Sequence, residues 1–160
     1  MISMKPAVYV ETSVISYLTA RPSRDLVIAA HQEVTRQWWA GATDRFDLIV
    51  SPMVQDEAAQ GAADSARLRL DALRGLRVLP MSNDVLGRVQ EMRGTLGLPE
   101  KALADVYHIA YCVAYEVDFL ATWNCTHMAN PRVLRRLRDL SHELGFFLPT
   151  IVTPDSLVED

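Results

Sequence analysis

The chain has 160 residues, of which 49% are hydrophobic, a size and composition that predict a single domain with one substantial core. Its formal net charge of −4 excludes a protein that holds nucleic acid by bulk positive charge, and confines any such contact to a local surface. No apolar run approaches the ~18 to 20 residues that span a bilayer, and Met1-Ile2-Ser3-Met4-Lys5-Pro6 lacks the charged-then-apolar pattern of a secretion signal, so the expected location is the cytoplasm.

Ala7-Val8-Tyr9-Val10 is short and β-branched, and predicts a strand that passes through Glu11-Thr12-Ser13 into a helix over Val14 to Leu18. After Arg21-Pro22-Ser23, the spacing of Val27, Ala30, Val34 and Trp38 predicts a long helix with those residues as its buried stripe. Leu48-Ile49-Val50 is the second strand. Ser51 and Pro52 then read as the cap and first residue of a short helix that carries Glu57 and ends near Gly61. Leu70 and Leu73 mark another helix, stopped at Gly75, and a third strand is expected near Leu76 to Met81.

Ser82 caps a helix with Val85, Val89 and Met92 inside. Beyond Gly97 and Pro99, a helix from about Glu100 to Glu116 buries Ala102, Val106, Ile109 and Val113, with Asp105 and His108 beside that stripe. Phe119 to Thr122 is the fourth strand. Asn130-Pro131 opens the last long helix, with Val133, Leu134, Leu137, Leu140 and Leu144 inside and Gly145 as its stop, and Thr150 to Thr153 is the fifth strand. Short strands joined by helices imply parallel pairing, so the expected fold is a three-layer α/β/α domain with a mostly parallel central sheet of about five strands. Ligands bind beyond the carboxyl ends of such strands, where Glu11 and the Thr122-Trp123-Asn124 segment fall.

Glu11 admits two readings, a crevice carboxylate or the start of a helix favoured by the helix dipole. Glu57, in a mixed helix, reads on its own as a solvated surface charge. Asp105 lies within the largely apolar Ala102 to Ala110 segment, where a charge must find a partner. Cys125 and His127 lack a second Cys/His pair at zinc-site spacing, and the two cysteines, Cys112 and Cys125, form no C-x-x-C pair and are expected as reduced thiols. The acids instead suit a hard ion such as Mg²⁺ or Mn²⁺.

Taken together, Glu11-Thr12-Ser13 after a strand, helical Glu57, Asp105 in Ala-Asp-x-x-His-Ile-Ala, Leu120-Ala121-Thr122-Trp123-Asn124 and the closing Thr153-Pro154-Asp155 resemble the PIN-domain family, in particular its VapC-like toxins. The resemblance implies a Mg²⁺- or Mn²⁺-dependent endoribonuclease that cuts RNA, often a homodimer, restrained by a small antitoxin protein. It implies Glu11, Glu57 and Asp105 as metal ligands, Asn124 as a fourth catalytic position, and Thr12, Ser13 and Thr122 in support. Two positions differ from the family's usual pattern. Glu11 stands where aspartate is usual, and Thr122-Trp123-Asn124 replaces Thr-x-Asp, removing one negative charge.

Of the 16 basic residues 14 are arginine, and Arg132, Arg135, Arg136 and Arg138 cluster on the last helix, either as RNA phosphate contacts or as a solvated face. Trp38 continues an apolar stripe, which leaves Trp39 as the candidate for a partner contact. His108 is placed to orient or pack beside Asp105, and His127 is open to acid, base or ligand roles. No nucleophilic triad or phosphate-binding glycine loop is present. The rival reading is a PIN-like RNA- or protein-binding module with weakened or lost nuclease activity.

Overall fold

The computed structural model of the chain describes residues 4–158. Five strands form one sheet: β1 (Ala7–Val10), β2 (Asp47–Val50), β3 (Arg77–Val78), β4 (Phe119–Ala121) and β5 (Thr150–Val152). Their order is β3-β2-β1-β4-β5, and every neighbouring pair is parallel. The helices among the described residues are α1 (Thr12–Thr19), α2 (Leu26–Arg45), α3 (Pro52–Ala58), α4 (Ala63–Leu73), α5 (Asn83–Met92), α6 (Leu103–Ala114) and α7 (Pro131–Leu144). The architecture is the expected three-layer α/β/α sandwich. No helix among the described residues is long and apolar enough to cross a membrane.

The central strand β1 is buried on both faces, which is why Val8-Tyr9-Val10 runs without polar alternation. From β1 the chain builds outward through β2 and β3, then returns to the other side of β1 with β4 and β5. Connections therefore diverge between β1 and β4, which opens a crevice above their carboxyl ends. Two backbone bonds carry the ladder one residue past the strands, Glu11 N–H to Ala121 O and Thr122 N–H to Val152 O, each 3.0 Å. Glu11 and Thr122 thus stand at the crevice on backbone that the sheet itself fixes.

Local signals set the helix ends as expected. Ser51 Oγ accepts from Val54 N–H with Pro52 in the first turn of α3, Ser82 Oγ accepts from Val85 N–H, and Asn130 caps α7 ahead of Pro131. Gly145 ends α7 in the left-handed region at φ 71°, where a side chain is disfavoured.

Several elements depart from the expectations. In α2 the buried residues are Gln32, Thr35, Trp38 and Ala42, whereas Val27 and Ala30 are exposed and Val34 is half-buried, so the face against the core is rotated away from the apolar stripe. The polar pair is accommodated because both find partners. Gln32 Oε1 accepts from Ser23 N–H (2.9 Å) while its Nε2 donates to Arg21 O (3.0 Å), and Thr35 Oγ1 donates to His31 O (2.6 Å). Trp38 is core as expected, and Trp39 is half-buried against it, edge to face at 6.1 Å. The third strand shrinks to Arg77–Val78, both exposed at the sheet edge. Residues 100–102 form a 3₁₀ turn, so α6 begins at Leu103. Leu70 and Leu144 are exposed rather than core. Cys112 is buried and Cys125 exposed, both as free thiols.

Gln32→Ala leaves Ser23 N–H and Arg21 O without partners and is expected to destabilise the protein by about 1–3 kcal/mol in urea unfolding. Val27→Ser, on the same helix but exposed, is expected to change stability by no more than about 0.5 kcal/mol.

Candidate active site

Glu11 is only 5% exposed, and its neighbours are chosen to keep it there. Its Oε2 accepts from the backbone N–H of Ser13 at 2.8 Å, so the carboxylate caps α1. Oε1 accepts the hydroxyls of Ser13 and Thr122, each at 2.5 Å. Both readings of Glu11 therefore hold at once: it starts the helix and it lines the crevice. Three donors occupy three of the roughly four acceptor positions of a carboxylate, leaving one on Oε2.

Glu57 enters from α3. Its Oε1 accepts from Thr12 Oγ1 (2.8 Å) and from His108 Nε2 (2.6 Å), and no hydrogen bond to Oε2 occurs among the described residues. Burial pushes the Glu57 carboxyl up, but the contacts with His108 and the Thr12 hydroxyl outweigh it and hold the group below the usual glutamate range. The solvated surface charge that its helix suggested is instead half-buried in the crevice.

Beneath these acids lies a fully buried polar chain. His108 is 0% exposed; its Nδ1 is 2.6 Å from Tyr9 Oη, which is 2.6 Å from Ser51 Oγ, which in turn accepts from Val54 N–H. One arrangement gives each of these donors an acceptor: Ser51 hydroxyl to Tyr9, Tyr9 hydroxyl to His108 Nδ1, and His108 Nε2–H to Glu57. The histidine is then the neutral Nε2–H tautomer, as assigned from the network. Burial pushes the Tyr9 phenol well up, which keeps its proton in place for that bond.

Glu11, Glu57 and His108 each offer an atom that lies within 4.8 Å of the others. Both ring nitrogens of His108 are already engaged, so the two carboxylates are the available ligands in that group. Asp105 lies outside that 4.8 Å group. Its Oδ2 pairs instead with His127 Nδ1 at 3.0 Å, between α6 and the loop after β4, with its side chain 16% exposed. It sits one helical turn before His108, so it borders the crevice from the α6 side.

The side chain of Asn124 is engaged within its own loop. Its Oδ1 accepts from His127 N–H at 2.9 Å while its own N–H donates to Thr122 Oγ1 at 2.9 Å. Asn124 thereby fixes the loop that presents His127 to Asp105. Thr12, Ser13 and Thr122 each donate a hydroxyl hydrogen bond to an acid. Arg132, Arg135 and Arg136 are exposed on α7, and the Arg136 guanidinium lies against Gly97, where a Cβ would collide with it. Sequence reasoning passed over Tyr9 and its hydrogen bond to Ser51, whose capping role it did foresee. The available signal was a phenol in the otherwise aliphatic strand Val8-Tyr9-Val10, which must find a partner once buried. A cavity of about 600 Å³ beside Lys5, Asp47 and Arg77 lies at the amino ends of the strands, away from these acids.

The PIN-domain family profile matches residues 8–124. The chain belongs to the PIN-domain family. Members of the family are generally nucleases and typically use divalent metals. Among solved structures, this PIN-domain chain is similar to VapBC2 from Rickettsia felis bound to a DNA fragment from their promoter, at 16% identity and a TM-score of 0.57, covering 79% of this chain and 94% of that one. It is also similar to VapBC-1 from nontypeable Haemophilus influenzae, at 12% identity and a TM-score of 0.58, covering 92% and 98%. These likenesses show a shared fold. No curated protein sequence matches the chain.

The donor set fits a hard divalent ion, which binds through one or two carboxylates and keeps room for water and phosphate oxygens. Glu57 Oε2 and the remaining position on Glu11 provide that. Tyr9→Phe strands His108 Nδ1 and the Ser51 hydroxyl, and is expected to lower stability by about 1–3 kcal/mol in chemical unfolding. Because the folded-state pKa of Glu57 is depressed, its contribution is present above the usual glutamate pKa of about 4.3 and is lost as pH falls through the lower folded value. The stability gap between wild type and Glu57→Gln is therefore expected to be widest near neutral pH and to narrow below about pH 4, as read by urea unfolding at several pH values.

Proposed function

We propose that this PIN-domain protein is a Mg²⁺- or Mn²⁺-dependent endoribonuclease, acting as one domain and serving as the toxin of an antitoxin-controlled pair. The observation that carries the reading is the Glu11–Glu57 carboxylate pair, held by its neighbours' donors at the strand-end crevice of a PIN fold. Glu11 and Glu57 would hold the ion. When bound, such an ion acidifies water and offsets the charge that builds on the phosphoryl oxygens during hydrolysis.

The chain's own groups divide the remaining work. Thr122 and Ser13 fix the Glu11 carboxylate, and Thr12 and His108 fix Glu57 Oε1, which leaves its second oxygen for the ion. Asp105, oriented by His127, supplies a third negative group at the α6 wall. Asn124 keeps that pair in register through the loop. Arg132 and Arg135, exposed on α7, are proposed to meet RNA phosphates, a contact whose strength falls with salt. An antitoxin protein and a second copy of the chain are the proposed partners, the first supported by the likeness to structures named as VapBC complexes.

A second reading, a binding module that has lost chemistry, draws on Asn124, which brings no charge and spends its carbonyl on His127. Cleavage decides between them. Wild type is expected to cut RNA only with added Mg²⁺ or Mn²⁺ and to stop in chelator. Glu57→Gln is expected to lower the rate at least about 100-fold and Asp105→Asn about 10- to 100-fold, with circular dichroism unchanged. Undiminished cleavage in chelator or in Glu57→Gln overturns the mechanism. Asn124→Asp keeps the acceptor for His127 while adding a charge, and is expected to lower the Mn²⁺ concentration for half-maximal cleavage. Tighter metal without any cleavage would favour the binding module.

A further inference from the structure

Trp123 follows directly on Thr122, and its side chain belongs to none of the hydrogen bonds that hold the acids. Its indole lies almost parallel to the His31 imidazole, with centroids 4.1 Å apart and planes at 12°. The Tyr17 ring lies 6.0 Å from the indole and 6.2 Å from the imidazole, at 23° and 20°. Three rings from α1, α2 and the loop after β4 thus share one orientation. The indole is fixed at both ends. Its Nε1 donates to Thr35 Oγ1 at 2.8 Å, and the backbone N–H of Trp123 donates at 2.8 Å to Ser13 Oγ, the hydroxyl that itself bonds Glu11.

Beside this stack is a cavity of about 320 Å³ lined by His31 and Trp123, with Ala30 and Val34 at its side and Thr153 and Asp155 at its rim. Trp123, His31 and Val34 are each half-buried. We propose that this cavity takes an unpaired nucleobase of the RNA, stacked on the His31–Trp123 platform, from a nucleotide next to the phosphate at Glu11 and Glu57. The inference rests on the ribonuclease reading and adds to it a base-reading subsite. Single-stranded RNA is characteristically held by stacking bases on Trp, Tyr, Phe or His while the phosphates are held separately. The link through Ser13 ties platform and acids into one rigid frame, so a base and a neighbouring phosphate can be engaged together. A cationic side chain of a protein partner is the competing occupant. Asp155 at the rim and the ring faces would attract such a cation, so the abasic arm of the test, which removes only a base, is what separates the two occupants.

The test uses wild-type protein and a cleaved oligoribonucleotide in which each nucleotide near the cut is replaced in turn by an abasic one. One position beside the cut is expected to raise KM by about 5- to 150-fold with kcat little changed, the fold-change that corresponds to losing one base stacked on an aromatic ring. Trp123→Leu is expected to raise KM for the intact RNA by a similar factor and to show no further loss on the abasic RNA, whereas Trp123→Phe retains most of the affinity. Abasic substitution without effect on KM at every position overturns the proposal, and that arm needs no altered protein. Effects of Trp123→Leu and the abasic site that simply multiply also overturn it. So does a Trp123→Leu that cuts RNA normally but loses affinity for a purified antitoxin, which would assign the cavity to the protein partner. Wild type that cleaves no RNA at all refutes the underlying ribonuclease reading instead.

Discussion

Two carboxylates a few ångströms apart in a largely buried crevice repel one another and resist leaving water, and the architecture around them consists of what makes that tolerable. Glu11 is held by a helix N-terminus and two hydroxyls, and Glu57 by a hydroxyl and an imidazole. The imidazole is in turn held by a chain of further groups. His108 is steadied by Tyr9, Tyr9 by Ser51, and Ser51 by the first turn of α3, the helix that carries Glu57. The chain of bonds closes on itself, so the acid and its support are positioned by the same short helix.

The sheet order explains why these groups meet. Because β1 sits between β2 and β4, residues just past β1 face both the loop after β4 and the helix after β2. Thr122 reaches Glu11 from one side and Glu57 reaches Thr12 from the other. The α6 helix, which leads into β4, brings His108 under Glu57 and Asp105 toward His127. Sequence separations of 22 to 111 residues are thereby collapsed into hydrogen-bond distance.

The fold class was readable because it rests on period and length, and the aliphatic strands and capped helices of this chain state both clearly. Ser51-Pro52, Ser82 and Asn130-Pro131 are local signals, and local signals survive folding. The site was legible in part. Glu11, Glu57 and the hydroxyls of Thr12, Ser13 and Thr122 fall where a strand-end crevice predicts, whereas the Asp105–His127 pairing depends on the path of a loop that no periodicity encodes. The α2 face was misread for a related reason. Gln32 and Thr35 are inside only because Ser23, Arg21 and Trp123 supply partners from elsewhere, and a hydrophobic stripe carries no record of those partners.

The third strand, only two residues long, bears on how other proteins can approach. At that edge Arg77 is tied to Asp47 across the strand pair, and at the opposite edge the three residues of β5 stand between Pro149 and Pro154, neither of which has an amide hydrogen to give. Both margins of the sheet therefore offer too little open backbone ladder to template an added strand. Recognition of this molecule is left to side chains in crevices and on helix faces rather than to β-augmentation, and self-assembly by edge-to-edge strand pairing is disfavoured by construction.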